Sequence, residues 1–304
     1  MARANKKEAA LESMSSGVKQ KFGALDVIIY VLLVVVAIIC LYPFLNVLAY
    51  SMSGYNAVLS QRVTWYPIDI DFSAYERILK DRQIWQSMWA TVQVTVLGTG
   101  LSLVLTTAAA YALSRMYLPG RTIFSALMLF TMYFGGGIIP TFLVVKGVGL
   151  IDKLASVYVP VAVSVYNFII MRTFFRDLPE SLEEAAMIDG ATEMQVLFRI
   201  VLPLSLPIIA TIGLFYAVSY WNEYFTAMLY ISDASKYTLQ LRLRTLLIGT
   251  QFGGGDAGGD AGVQVMTQSL KMASVAVATI PILIVYPWLQ KYFVKGMMIG
   301  SVKG

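Results

Sequence analysis

The chain has 304 residues, of which 58% are hydrophobic and 13% charged, with a net charge of +5 and a mean hydropathy of +0.68. This composition excludes an ordinary soluble domain and predicts a membrane protein with several spans. The lack of histidine and the single cysteine, Cys40, exclude imidazole catalysis and intrachain disulfides. We therefore predict no catalytic residue and no metal site.

Six apolar runs are long enough to cross a bilayer as helices, which takes about 20 residues each. They predict spans at 25–50, 88–113, 122–145, 154–175, 202–229 and 272–289. The basic tail 1–24 precedes the first span and predicts a cytoplasmic N-terminus. An even number of spans returns the tail 294–304 to the same side. We thus expect an all-α transmembrane domain over 25–293, with a cytoplasmic loop at 178–200.

Glycine-rich segments interrupt this pattern at two places. Gly135-Gly136-Gly137, followed by Pro140, breaks the third predicted span. Because an unpaired backbone is costly in lipid, such a break is expected to face protein or a water-filled cavity. A second glycine-rich stretch, 249–262, lies in the external loop 231–271 and predicts a flexible segment.

The stretch from Glu184 to Pro203 is one of the few polar places in the second half of the chain. Ser181 and Glu184 have the S-x-x-E spacing of a capping box, and Glu180, Glu183 and Glu184 favour the first turn of a helix. Gly190 predicts a turn that other residues cannot adopt readily. The pattern indicates two short helices around a glycine break. By itself the pattern is most typical of a capped amphipathic helix in a loop that joins two spans.

The spans contain almost no ionisable residues, since Asp26 and Glu223 lie near span ends. A proton- or sodium-driven transporter would need a carboxylate relay within the bilayer. The chain also lacks a Gly-x-x-x-x-Gly-Lys-Ser/Thr phosphate-binding run. If the protein is an active transporter, we expect its ATPase to be a separate subunit.

Polar and aromatic residues collect at the external end of the fifth span. They predict a substrate surface made by Tyr216, Tyr220, Trp221, Asn222 and Glu223. Aromatic faces with a few amide and carboxylate groups suit a sugar. The alternative is an interfacial belt of aromatic residues, which is common at span ends. Tyr133 and Phe134, beside the glycine break, are a second candidate.

The run Glu184-Ala185-Ala186, three residues, Gly190, nine residues, Ile200-Val201-Leu202-Pro203 resembles the cytoplasmic loop of ABC importer permeases. The segments Ala110–Arg115 and Pro119–Arg121 and the tail Gly300–Gly304 are similar to the maltose-type carbohydrate-importer permeases. The resemblance covers nearly the whole chain beyond its N-terminal tail. Within this class the chain looks most like the branch linked to complex-polysaccharide oligosaccharides.

This resemblance implies the type I importer fold with six transmembrane helices and a cytoplasmic coupling helix. Glu184, Ala185, Ala186, Asp189 and Gly190 would dock on the ATPase. The implied partners are a second permease subunit, two ATP-binding subunits holding ATP and magnesium, an extracytoplasmic solute-binding protein, a carbohydrate and membrane lipid, without nucleic acid. The implied location is the bacterial cytoplasmic membrane.

Other readings stay open at this point. One alternative is an ABC importer permease for a non-sugar solute, such as an amino acid, phosphate or polyamine. A membrane protein outside the ABC class, including a membrane-embedded enzyme, is another. The missing histidines and the scarcity of intramembrane carboxylates argue against the enzyme.

Overall fold

The computed structural model describes residues 24–252, 268–284 and 287. Within these residues the regular structure is helical, apart from one isolated antiparallel bridge between Ser53 and Ile70. The helices are α1 (Ala24–Ser51), α2 (Tyr55–Leu59), α3 (Ser73–Lys80), α4 (Arg82–Ser114), α5 (Arg121–Tyr133), α6 (Ile138–Gly147), α7 (Ala155–Tyr158), α8 (Val165–Arg176), α9 (Glu180–Ile188), α10 (Glu193–Leu204), α11 (Leu206–Trp221), α12 (Phe225–Tyr230), α13 (Leu239–Phe252) and α14 (Gln268–Ile284). Residues 1–23 of the predicted tail 1–24, the predicted tail 294–304, most of the 249–262 stretch and the end of the sixth span lie outside the described residues.

Helix α1 is apolar on all sides and almost wholly exposed. Its 28 residues extend about 42 Å at 1.5 Å per residue, which is more than the roughly 30 Å core of a bilayer. Only its last turns pack on the protein, where Ala49 is 2% exposed. A helix without a polar face must be covered by lipid or by another protein.

Helix α4 is the central element and makes its most extensive contacts with α11 and α8. The core between them includes Val94, Phe168, Met171 and Ile212, each fully buried. Gly98 lets this packing become close, because a Cβ there would lie 2.9 Å from both the Tyr158 Cβ and the Tyr220 Cε2. Small residues in α4 therefore permit close helix packing.

Two pairs of helices are sharply bent. Helices α5 and α6 meet at 115° across the predicted glycine break, where Gly137 has a φ of +84°. Helices α10 and α11 meet at 79° around Ser205. Among the described residues, α1 and α4 are long and apolar enough to cross a membrane, and each bent pair would bring the number of spans to at most four. The count of six spans stays a prediction.

The ranges predicted for the fourth and fifth spans are each divided. Residues 154–175 contain the short helix α7 and then α8, separated by the non-helical segment 159–164, which has a turn at Pro160. Proline lacks an N–H and clashes with the preceding turn, so it ends a helix. Ser164 then caps α8, its Oγ accepting from the backbone N of Asn167 at 3.4 Å. The fifth range contains α11 and α12, with a break after Trp221.

Candidate functional site

The helix in the 178–200 loop starts differently from the prediction. Pro179 is the N-cap of α9, without a side-chain cap, and Leu182 N donates to Pro179 O at 3.2 Å. Ser181 is thus already inside the helix, and the predicted capping box with Glu184 is wrong. The first turn carries Glu180 and Glu183 but not Glu184. The fixed φ of proline sets the start of the helix ahead of the serine.

A capping box does occur at the next helix. Gln195 N donates to Thr192 Oγ1 at 3.4 Å, and Thr192 N donates to Gln195 Oε1 at 2.9 Å. The sequence signal was the T-x-x-Q spacing, which fits the motif as well as the S-x-x-E spacing does. The box fixes the direction in which the chain enters α10.

The predicted glycine turn is present at Gly190, whose φ is +84°. Gly190 N donates to Met187 O at 3.0 Å, and Ala191 N donates to Ala186 O at 2.9 Å. These two bonds form a Schellman motif, which satisfies the last carbonyl groups of α9. A Cβ on Gly190 would meet no atom within 4 Å, so the backbone conformation, and not lack of space, requires glycine here.

The residues predicted to contact the ATPase form an accessible surface. Glu184, Ala185, Asp189 and Gly190 are exposed, and Ala186 is half-buried. Large apolar side chains are exposed in the same loop, among them Ile188 at 86%, Met194 at 65% and Phe198 at 62%. An apolar patch with a charged margin is typical of a surface that binds another protein.

Glu183, which the sequence reasoning did not select, attaches this loop to α4. Its carboxylate forms an ion pair with Arg115, and the two side chains are only 11% and 12% exposed. The Arg115 guanidinium also lies 4.3 Å from the centroid of the Tyr111 ring. Nearby, the Tyr117 hydroxyl donates to Glu193 Oε1 at 3.0 Å. The available signal was Arg115 in the Ala110–Arg115 segment, but the pattern did not show its partner.

The described residues also form a cleft of about 680 Å³ between α11, the segment 159–164 and the start of α8. It is lined by Pro160, Val161, Val163, Ser164, Tyr166, Asn167, Phe215, Tyr216, Ser219, Tyr220 and Glu223. Three of the five predicted substrate residues therefore lie together, whereas Trp221 and Asn222 are not part of the lining. Tyr133 and Phe134, the second candidate, are 76% and 65% exposed and also lie outside it.

The two tyrosine hydroxyl groups in the cleft are already hydrogen bonded to protein. The Tyr216 hydroxyl shares a hydrogen bond of 2.7 Å with Thr106 Oγ1 and accepts one of 2.9 Å from Ser164 N. The Tyr220 hydroxyl shares a bond of 2.8 Å with Ser102 Oγ and donates to Tyr158 O at 3.3 Å. Both hydroxyl groups are thus used in helix packing, and the two tyrosines border the cleft while each is only 3% exposed.

The remaining polar groups of the cleft have different surroundings. Glu223 Oε1 accepts from Thr226 N at 2.8 Å, which caps the start of α12. Asn167 is 5% exposed, and its side-chain amide makes no hydrogen bond to the part of the chain that the structure describes. An amide that borders a cleft without a protein partner is available to a ligand with hydroxyl groups. The sequence reasoning missed Asn167.

Comparison with known proteins identifies the class. Residues 13–299 match the family described as "Binding-protein-dependent transport system inner membrane component", and the chain belongs to this family. It is a permease subunit of an ABC importer in the inner membrane, and not an enzyme.

Two relatives and one solved structure are similar to this chain over most of its length. It is 46% identical to the polygalacturonan/rhamnogalacturonan transport system permease protein YtcP of Bacillus subtilis (strain 168), over 92% of this chain and 98% of that protein. It is 28% identical to the diacetylchitobiose uptake system permease protein DasC of Streptomyces coelicolor, over 89% of this chain and 95% of that protein. A chain in the crystal structure of a bacterial ABC transporter involved in import of the acidic polysaccharide alginate superposes with a TM-score of 0.82. The two chains are 36% identical, and the match covers 90% of this chain and 100% of that one.

Proposed function

We propose that this subunit, paired with a second permease, moves a sugar or oligosaccharide into the cell, driven by two ATP-binding subunits and supplied by a solute-binding protein. The observation that carries the proposal is the exposed surface Glu184–Gly190, joined by a buried ion pair to the central helix α4. The relatives named for polygalacturonan, rhamnogalacturonan and diacetylchitobiose transport support a carbohydrate substrate.

The 178–200 loop is the contact with the ATPase. The exposed small side chain of Ala185 lets a partner surface approach the helix closely, and Ile188 supplies apolar contact area. ATP and magnesium bind to the partner subunits, so this chain contributes only the docking surface to ATP hydrolysis. The loop and both chain ends then lie in the cytoplasm, and six spans cross the membrane.

The cleft is where this subunit contacts the substrate. Tyr216 and Tyr220 stack with ring centroids 6.3 Å apart, and such rings pack against the C–H faces of sugars. Asn167 offers both donors and an acceptor for hydroxyl groups. The lining contains no lysine or arginine, so it offers no cationic partner to a phosphate or carboxylate. The charged groups of an acidic sugar would have to be bound outside this cleft.

The docking role is tested with Ala185→Glu in the purified complex reconstituted in liposomes. Glutamate is a good helix former and Ala185 is exposed, so the substitution should not disturb folding. We expect loss of sugar uptake and of sugar-stimulated ATP hydrolysis. The matched control is Thr64→Glu, an exposed position between the first two predicted spans and outside the 178–200 loop, which should leave both unchanged. Normal uptake by Ala185→Glu would refute the docking role.

The substrate role is tested with Asn167→Ala in the same liposomes. We expect the sugar concentration needed for half-maximal uptake to rise, because a hydrogen bond to the substrate is lost. Asn222→Ala is the control, since Asn222 is an exposed amide that donates to Val218 O at 2.9 Å and lies outside the cleft. Equal behaviour of the two variants would count against the cleft as the substrate site.

A further inference from the structure

Helix α4 links the 178–200 loop to the cleft. Its C-terminal end is followed by Arg115, which pairs with Glu183 of α9. About two and a half and three and a half turns before Arg115, Thr106 and Ser102 hold the hydroxyl groups of the two cleft tyrosines. At 1.5 Å per residue, Thr106 and Ser114 are about 12 Å apart along the helix axis. A single rigid element therefore touches both places where the proposed function requires action.

The ion pair is well placed to resist separation. Both side chains are almost buried, and Arg115 is also held by the face of Tyr111. Separating two such charges would leave each without compensation in a region of low dielectric. The end of α4 is fixed further, because Arg172 Nε of α8 donates to Leu113 O at 2.9 Å. Displacing α9 while leaving α4 in place is thus unfavourable.

We propose that Arg115 and Glu183 are a positioning pair that makes α9 and α4 move as one body, so that displacement of the 178–200 loop reaches the cleft tyrosines. The inference rests on the proposed function, since it needs an ATPase that moves the loop. It adds the route along which the displacement passes, which runs from Glu183 to Arg115, then along α4 to Thr106, and from Thr106 to Tyr216. Neither residue of the pair touches substrate or nucleotide.

Arg115 uses only part of its hydrogen-bonding capacity in this pair. Its Nη1 contacts Glu183, whereas Nε and Nη2 are buried and without a partner among the described residues. The ammonium group of lysine can also make a single contact of this kind, and it too is attracted to the face of an aromatic ring. Arg115→Lys should therefore preserve the link, while Arg115→Met removes the charge and keeps much of the side-chain volume.

The test uses the complete complex with both permeases, the ATP-binding subunits and the binding protein, in liposomes. Three quantities are measured: the ATP-binding subunits retained per permease, sugar-stimulated ATP hydrolysis, and sugar moved per ATP hydrolysed. For Arg115→Met we expect normal retention of the ATP-binding subunits and a fall of about tenfold in sugar moved per ATP, within the range for mutations between coupled sites. Arg115→Lys should restore most of this loss.

One control removes a charge from the same surroundings without breaking the pair. Arg121→Met removes a cation whose described contact is with Met116 Sδ at 2.6 Å and which lies outside the 178–200 loop. It should transport as the wild type does. Glu183→Gln provides a second variant of nearly unchanged shape in case Arg115→Met does not accumulate, and it should also lower the sugar moved per ATP.

A double-substitution cycle with Thr106→Val tests the route itself. If α4 carries the displacement, the effects of Arg115→Met and Thr106→Val on sugar moved per ATP should be less than multiplicative. Independent effects would overturn the route, as would wild-type transport by Arg115→Met or loss of the ATP-binding subunits from its complex. Failure of the wild-type complex to transport any sugar would instead refute the proposed function.

Discussion

Replacing Gly190 tests whether the turn after α9 depends on backbone conformation. Its φ of +84° lies in the left-handed region, and a Cβ would meet no atom within 4 Å. Alanine in that region destabilises the folded turn by about 1–2 kcal/mol, whereas its lower conformational entropy in the unfolded chain stabilises the folded state by about 0.4–1 kcal/mol. The net cost is about 1 kcal/mol, so the population of the correct turn falls about fivefold relative to alternative conformations.

Proline at the same position should be far more damaging. Its φ is fixed near −65°, and it removes the N–H that now donates to Met187 O at 3.0 Å. The cost is at least about 3 kcal/mol, which corresponds to a loss of more than about 100-fold. Asparagine tolerates the left-handed region and should be milder than alanine although it is larger. We therefore expect transport to decrease in the order Gly, Asn, Ala, Pro.

The assay is sugar uptake and sugar-stimulated ATP hydrolysis by the complete complex in liposomes. Gly147→Ala is the control, because Gly147 lies in α6, has ordinary backbone angles and has open space around the position of a Cβ. It should leave both activities unchanged. An order that follows side-chain size, with Asn worse than Ala, would show that contact and not backbone conformation governs this position.

Three further predictions concern packing and pH. Gly98→Ala forces a methyl group to within 2.9 Å of the Tyr220 ring and should lower the free energy of unfolding in detergent by about 1–3 kcal/mol. Gly100→Ala, where a Cβ meets no atom within 4 Å, should not lower it. Equal melting temperatures of the two variants would contradict this prediction. Tyr216→Phe leaves buried hydrogen-bonding groups without their partner, so it should lower the free energy of unfolding by about 1–3 kcal/mol and leave the apparent sugar affinity unchanged. A weaker affinity with unchanged stability would show instead that the hydroxyl group binds substrate. The hydrogen bond from Lys236 lowers the pKa of Asp152 below its ordinary value of 3.8. The ionised carboxylate therefore stabilises the fold above pH 3.8, and this stabilisation is lost only as the pH falls through the lowered pKa. Asp152→Asn should reduce thermal stability by a constant amount between about pH 5 and 8, and a difference that titrates within this range would refute the assignment.

The sequence predicted the helical class and both glycine-dependent features. The break at Gly135-Gly136-Gly137 and the turn at Gly190 were predictable because positive φ and missing side chains are local properties. Composition also indicated a membrane protein, and the family match agrees with it. The number of spans depends on how bent helix pairs are counted, and hydropathy does not determine this.

The errors at helix starts and breaks have local causes. Ser181 and Thr192 both begin a capping-box spacing, and the box forms only at Thr192, because Pro179 already fixes the start of α9. Pro160 lies within an apolar run long enough for one span, and the helix is nevertheless interrupted at this residue. At both places a proline, whose φ is fixed, determines where a helix starts or stops.

The cleft could have been predicted more sharply. Tyr216, Ser219, Tyr220 and Glu223 follow the i, i+3, i+4, i+7 spacing of one helix face, which separates them from Trp221 and Asn222. Asn167 and the Arg115–Glu183 pair were not accessible in this way. Their roles depend on which elements meet in space, and a single sequence does not give that information.

The most direct test of the account asks what the surface Glu184–Gly190 touches. Cys40 is the only cysteine of the chain, so Ala185→Cys in a Cys40→Ser background introduces a unique thiol at an exposed position. Cross-linking is then measured in the complete complex in membrane vesicles. We predict a cross-link to an ATP-binding subunit that changes in yield when ATP binds, and no labelling by an impermeant thiol reagent from the external side. Labelling from outside, or no cross-link to an ATP-binding subunit in a transporting complex, would contradict the account.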